Sequence, residues 1–455
     1  MNLEHMPAPQ PAGTVDGVWP VNARRLNTGE LEVAGVPLAA IAQEYGTPGF
    51  VLDVCDMRGR ARTWVAAMNE AFADLGGARV YYAGKAFLSK AVARWMAEDG
   101  LSIDTASEGE LRTVLAAGVP GRYCGLHGNN KTREEIELAI TSGVAHIVID
   151  SLDEIDFVEA IASELGQVAP VYLRLTTGVH AGGHEFIATA HEDQKFGLSV
   201  STGVSREAIK RVAQASHLNL IGLHSHIGSQ IAAVDGFEAA AAVVFAERTW
   251  ASEQGIDIPE IDLGGGYGIR YTSEDPQPPT PETFARALAS VVSHHMAESG
   301  LEAPHVSIEP GRSIIGPSML TLYCVGTTKD VAIDGGARRY VSVDGGMSDN
   351  IRPALYEANY TAALANRSSE AEDVRSRVVG KHCESGDIVV RDVALPSDVH
   401  RGDLLAIPAT GAYGYAMASN YNMLTKPPVV AVENGEVTEL IRRQNVDDLL
   451  AYDLG

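Results

Sequence analysis

The sequence predicts a (β/α)8 TIM barrel joined to a C-terminal antiparallel β domain that also takes in the N-terminal segment. Between about residues 79 and 310, short β-branched or aromatic runs alternate with longer stretches of helical spacing, the rhythm of parallel strands and crossover helices. After about residue 318 the texture changes to short strand-like runs divided by Gly and Asp, as in an antiparallel sheet. A chain of 455 residues is also longer than one typical domain, so a barrel with an appended domain suits it.

In chain order, residues 1–19 read as a loose leader, rich in proline and without the apolar core of a secretory signal. Residues 20–48 are expected to pack with the β domain. The barrel is expected over 49–318, with strands at 79–85, 101–107, 122–126, 145–151, 171–175, 220–228, 260–266 and 305–311. Segments such as KAVARWMAEDG and TREEIELAITSGV place apolar residues three and four apart and end on glycine, so they read as the intervening helices. The proline-rich EDPQPPTPET, residues 274–283, reads as a loop excursion between the last two strands. The β domain follows over 319–455. The longest apolar run, FEAAAAVVFA, is about half of what a membrane span needs and reads as a buried helix face.

Lys and Arg number 35 against 59 Asp and Glu, a net charge of −24, which argues against nucleic acid and anionic membranes as partners. The four cysteines form no C-x-x-C pair, which fits a reducing, cytoplasmic setting and no structural metal site. Cys55, Cys124 and Cys324 lie in apolar runs and read as core residues, whereas Cys383 sits in the polar turn GKHCESGD.

In a barrel of this kind, chemistry gathers at the C-terminal ends of the strands. Those ends present Lys85, Asp104, Arg174, His226, the run Gly264, Gly265 and Gly266, and Glu309 with Gly311 and Arg312. A lysine closing an apolar strand is either a solvent-exposed terminus or a desolvated Schiff-base nucleophile. Three glycines after a strand are either a tight turn or bare N–H groups for a phosphate. GGGYGI lacks the third glycine of the dinucleotide fingerprint. His224 and His226 share a strand face, but no third ligand stands at an obvious place, so a stacking ring is favoured over a metal ligand. Glu309 and Arg312 are either an ordinary ion pair or an acid and a base at one rim. Together, a lysine for an aldehyde, a phosphate cradle, a ring to stack and a carboxylate for a ring nitrogen describe a pyridoxal phosphate site.

The stretches YYAGKA, DTASEGEL, GLHSHIGSQ, DLGGGYGI, IEPGRSI, DGGMSDNIRPALY, CESGD and GAYGYAMASNYN, in this order, resemble the diaminopimelate decarboxylase family of pyridoxal phosphate enzymes. The resemblance implies the alanine racemase and ornithine decarboxylase fold class, with meso-2,6-diaminopimelate decarboxylated to L-lysine and CO2 as the last step of lysine biosynthesis. It implies that Lys85 holds the cofactor as a Schiff base, His226 stacks on the ring, and Glu309 bonds the pyridine nitrogen. Ser229, Gly266, Arg312 and Tyr413 would hold the phosphate end, with Asp104, Arg174, Gly264, Gly265 and Gly311 completing the cofactor site. Arg312, Arg352, Tyr356, Glu384 and Tyr413 would contact substrate, and Cys383 would donate a proton.

The family further implies a homodimer in which the cysteine side comes from the second subunit. Two positions depart from the usual pattern: Phe87 stands where asparagine commonly follows the lysine motif, and Gln194 where a serine is common. Three other readings remain at this point. A sister decarboxylase for basic substrates would differ at Arg352 and Glu384. A racemase would tend to carry arginine where Glu309 stands. A homologue without activity is disfavoured by Lys85 and Cys383.

Overall fold

The computed structural model describes residues 17–179, 195–334 and 336–455. Gln194 lies outside them. The chain divides into two compact units. One comprises Arg60–Gly268 and Pro278–Ser313; the other comprises the described residues up to Gly59, Ile269–Gln277 and Ile314–Gly455.

The first unit is a closed parallel barrel. Its strands are β1 (Ala78–Ala83), β2 (Ser102–Thr105), β3 (Cys124–Leu126), β4 (His146–Ile149), β5 (Ala169–Thr176), β6 (Leu218–Ser225), β7 (Glu260–Asp262) and β8 (His305–Ile308). Each strand pairs in parallel with the next, and β8 pairs with β1 to close the ring. The eight strands stand where the alternation places them, but most end earlier than the apolar runs suggest. The residues beyond them, Lys85, His226, Gly264–Gly266 and Glu309, therefore belong to the βα loops.

Those loops end on helix caps. The hydroxyls of Ser89, Ser107, Ser151 and Thr280 accept N–H groups that the first turn of a helix leaves without partners. Thr132 and Glu135 form a full capping box for Arg133–Ser142, which Gly143 ends in the left-handed conformation. The helix Pro281–Ser299 begins inside the stretch read as a loop, because proline at its first position gives up an N–H that needs no partner there. The barrel interior carries rings as well as aliphatic groups. The Tyr172 ring stacks on His146 with centroids 3.9 Å apart, and a Cβ at Gly222 would collide with the Tyr172 ring.

In the other unit, the long strand Met319–Ile333 pairs antiparallel with Gly49–Asp53, Gly336–Val343 and Leu404–Ile407. Gly49–Asp53, placed at the start of the barrel from the sequence, is thus a strand of this sheet. The sheet is mainly antiparallel, but Val429–Glu433 runs parallel to Gly49–Asp53, and Asp373–Val379 runs parallel to Gly336–Val343. A core of Tyr323, Val341, Tyr360, Val378, Val393 and Leu405 lies against one part of it, and Trp19, Leu38, Val51 and Leu320 belong to a second cluster. Cys124 is buried as expected; Cys55, in the first turn of the helix Val54–Ala71, and Cys324, within the strand Met319–Ile333, are only half-buried. Among the described residues, no helix is long and apolar enough to cross a membrane.

Candidate active site

At the C-terminal end of the barrel strands a cavity of about 170 Å³ is lined by Lys85, Asp104, His127, Arg174, His226 and Glu309, among others. Lys85 sits in the short 3-10 turn Gly84–Ala86 directly after β1 and is exposed, with its neighbours Gly84 and Ala86 buried. The turn can form because Gly84 has no side chain: a Cβ there would come within 2.8 Å of the Asp104 carbonyl.

Glu309 follows β8 directly and is buried. Its Oε1 lies 2.8 Å from His224 Nε2 and 3.7 Å from His127 Nε2. Burial pushes the carboxyl up, but the two imidazoles outweigh it and hold Glu309 well below the usual carboxylate range. Asp104, on β2, goes the other way: burial, then the charges of Glu309 and Asp262, push it well above its ordinary value. The two carboxyls of the cavity are thus pushed in opposite directions, an arrangement that separates their chemical roles.

His226 is kept neutral by burial and by the nearby Lys85 charge. Gly265 N–H donates to its Nδ1 at 3.2 Å, which leaves the ring proton on Nε2. Arg174, at the end of β5, lies 3.7 Å from Asp150 and 4.4 Å over the Phe196 ring.

The glycine run is a cradle that side chains would fill. A Cβ at Gly264, Gly265 or Gly266 would run into the carbonyl oxygens of Ser225, Glu309 and Gly228, respectively, and Gly264 and Gly266 have φ of +70° and +111°. At Gly311 a Cβ would come within 2.8 Å of that of Ala83. Beside the cradle, Arg312 Nη2 donates to Ser229 Oγ at 2.8 Å. A reactive amine, a flat neutral ring, an ionised carboxylate and bare backbone with an adjacent guanidinium fit pyridoxal phosphate.

The remaining predicted residues lie in the other unit. Arg352 is buried at the start of the short helix Arg352–Leu355, with its guanidinium 4.6 Å over the Tyr271 ring and one N–H donated to the Tyr360 hydroxyl. That is one of five guanidinium donors. Tyr356 caps this helix, and Tyr413 adopts φ +61° in the segment after Gly411. Cys383 and Glu384 are exposed on a turn that is held rigidly. Asp387 accepts from Met347 N at 2.6 Å, His382 N at 2.8 Å and His382 Nδ1 at 2.9 Å, and Asn422 Oδ1 accepts from Cys383 N at 3.1 Å.

Several supporting residues were not read from the sequence. Lys131 is buried, donating to the carbonyls of Gly128 and Val148 and paired with Glu154 at 2.7 Å. Glu154 in turn accepts from Asp150 N at 2.7 Å. The signal is a lysine in the βα loop GNNK directly after an apolar strand, where a buried ammonium demands partners. His127, in GLHGNNK, stands at a strand end and met the same positional test as the residues that were singled out.

The fold and this cavity define a pyridoxal-dependent decarboxylase. Residues 58–316 match the family model of the pyridoxal-dependent decarboxylase, pyridoxal binding domain. The diaminopimelate decarboxylase of Mycobacterium tuberculosis is 51% identical over 443 residues, 96% of this chain and 98% of that protein. That of Bacillus subtilis is 44% identical over 434 residues, 95% of this chain and 97% of its own. The crystal structure of diaminopimelate decarboxylase from M. jannaschii in co-complex with L-lysine superposes with a TM-score of 0.89 at 31% identity, covering 95% of this chain and 98% of that one. The chain belongs to the diaminopimelate decarboxylase family. It is a pyridoxal phosphate-dependent carboxy-lyase.

Proposed function

We propose that this enzyme decarboxylates meso-2,6-diaminopimelate to L-lysine and CO2, the last step of lysine biosynthesis. The observation that carries the reading is that Lys85 and the buried Glu309 line one cavity, in a chain 51% identical to a diaminopimelate decarboxylase.

Pyridoxal phosphate supplies an electron sink for the pair left on the α-carbon as CO2 departs. Lys85 would hold the cofactor through its aldehyde, His226 would pack on its ring, and Glu309 would keep a proton on the ring nitrogen, which would deepen the sink. The glycine cradle, Ser229, Arg312 and Tyr413 anchor the phosphate, with Asp104, Arg174 and Gly311 shaping the rest of the site. The Cys383 thiol, exposed on its rigid turn, delivers a proton to the α-carbon.

Substrate recognition is assigned to Arg312, Arg352, Tyr356, Glu384 and Tyr413. Arg352 takes the distal carboxylate through its remaining donors, and Glu384 takes the distal ammonium. Ornithine or lysine would leave the buried guanidinium without its carboxylate, which is how a site rejects an analogue lacking a group. The proposed assembly is a two-fold homodimer in which Cys383 and Glu384 complete the partner's site, working in the cytoplasm.

Arg352→Ala tests the selectivity. The ratio of activity on diaminopimelate to that on ornithine should fall by about 10⁴ or more, the discrimination a buried polar contact supplies. An unchanged ratio removes Arg352 as the selector.

A further inference from the structure

We propose that His224 is a positioning residue for the ring-nitrogen end of the cofactor, acting through Glu309, in a clamp on one carboxylate oxygen that His127 also approaches. The proposal rests on the reading that Glu309 faces the ring nitrogen.

His224 belongs to β6, and His226 stands just beyond the end of that strand. They divide the work. Both line the cavity: His226 is turned by the N–H of Gly265, and the buried His224 has its Nε2 2.8 Å from Glu309 Oε1. An ionised carboxylate only accepts, so His224 Nε2 carries the hydrogen and donates it. The His127 ring approaches from the end of β3, 5.1 Å from that of His224 and at 74° to it, with Nε2 3.7 Å from the same carboxylate oxygen. The same His127 Nε2 lies closer still to Asp104 Oδ1, at 3.2 Å. One oxygen of the carboxylate thereby faces two rings, His224 at hydrogen-bond distance and His127 farther off. Both rings touch Glu309 and neither replaces it.

A carboxylate that must stay ionised while buried needs such donors, because burial alone would neutralise it. Without the His224 donor, Glu309 would rotate or take up a proton, and its hold on the ring nitrogen would weaken. A group that orients a ligand from one bond away commonly changes activity by 10- to 100-fold when it is lost, as is documented for the outer shell of metal sites.

Three variants of the holoenzyme test this. His224→Phe keeps a ring and removes the donor; His224→Gln restores an amide N–H near Nε2; Glu309→Gln tests the underlying reading. For each, the absorption spectrum of bound cofactor without substrate is recorded, with kcat and KM for diaminopimelate.

His224→Phe is expected to lower kcat about 10- to 100-fold while KM changes little, and to move the cofactor band in the direction that Glu309→Gln moves it. His224→Gln should recover most of both. An unchanged band and kcat in His224→Phe, alongside an impaired Glu309→Gln, overturns the clamp and leaves Glu309 in place. An unimpaired Glu309→Gln overturns both. Should His224→Phe fail to fold, His224→Asn, whose shorter amide does not reach Oε1, is read in the same way.

Discussion

Cys383 presents a thiol to solvent from a turn whose geometry is set by Asp387, and the proposed proton-donor role rests on that placement. The sequence shows Cys383 and Glu384 in a polar turn, but not that Asp387 accepts three N–H groups at once. Cβ atoms at Gly346 and Gly380 would collide with the same carboxylate, so the turn is closed around it. Cys383→Ala should lower turnover by roughly 10² to 10⁴, the range for loss of a positioned proton donor, and leave the absorption of bound cofactor intact. Unchanged turnover would assign the proton to another group. Asp387→Ala should lower stability by about 1–3 kcal/mol through donors left without an acceptor, read as a drop in melting temperature.

At the scale of elements, the barrel was legible because its strands and helices are local patterns, repeated with capping residues at the junctions. The ends of strands were less so. The run EIDLGGG reads as one strand, yet the ladder stops at Asp262, because a positive φ at Gly264 turns the chain out of the sheet. The parallel pairing of Val429–Glu433 with Gly49–Asp53 was not legible, since it joins segments far apart in the chain and depends on tertiary order. Two predictions belong here. Gly265→Ala would drive its Cβ into the Glu309 carbonyl, so cofactor affinity should fall at least about tenfold, the effect of even a modest misplacement of a binding loop, as measured by spectroscopic titration. Lys131→Met leaves Glu154 buried without its cation, and thermal or denaturant unfolding should show a loss of about 3–5 kcal/mol.

For the whole molecule, the family, the cofactor and the reaction class were legible from eight ordered motifs, whereas the substrate-side assignments rest on residues of a separate unit. The proposed composite dimer makes a prediction that no single-chain arrangement makes. Lys85→Ala and Cys383→Ala, each inactive alone, should recover about a quarter of wild-type activity when unfolded together and reassembled, because half of the dimers are mixed and each holds one intact site. No recovery despite mixed dimers would place both residues in one chain's site.

The central claim is the reaction itself, and product analysis addresses it most directly. Purified enzyme with added pyridoxal phosphate should release CO2 and form L-lysine from meso-diaminopimelate, and release none from L-ornithine, L-arginine or L-lysine. Release of CO2 from one of those three, or none from diaminopimelate with cofactor bound, would contradict the account.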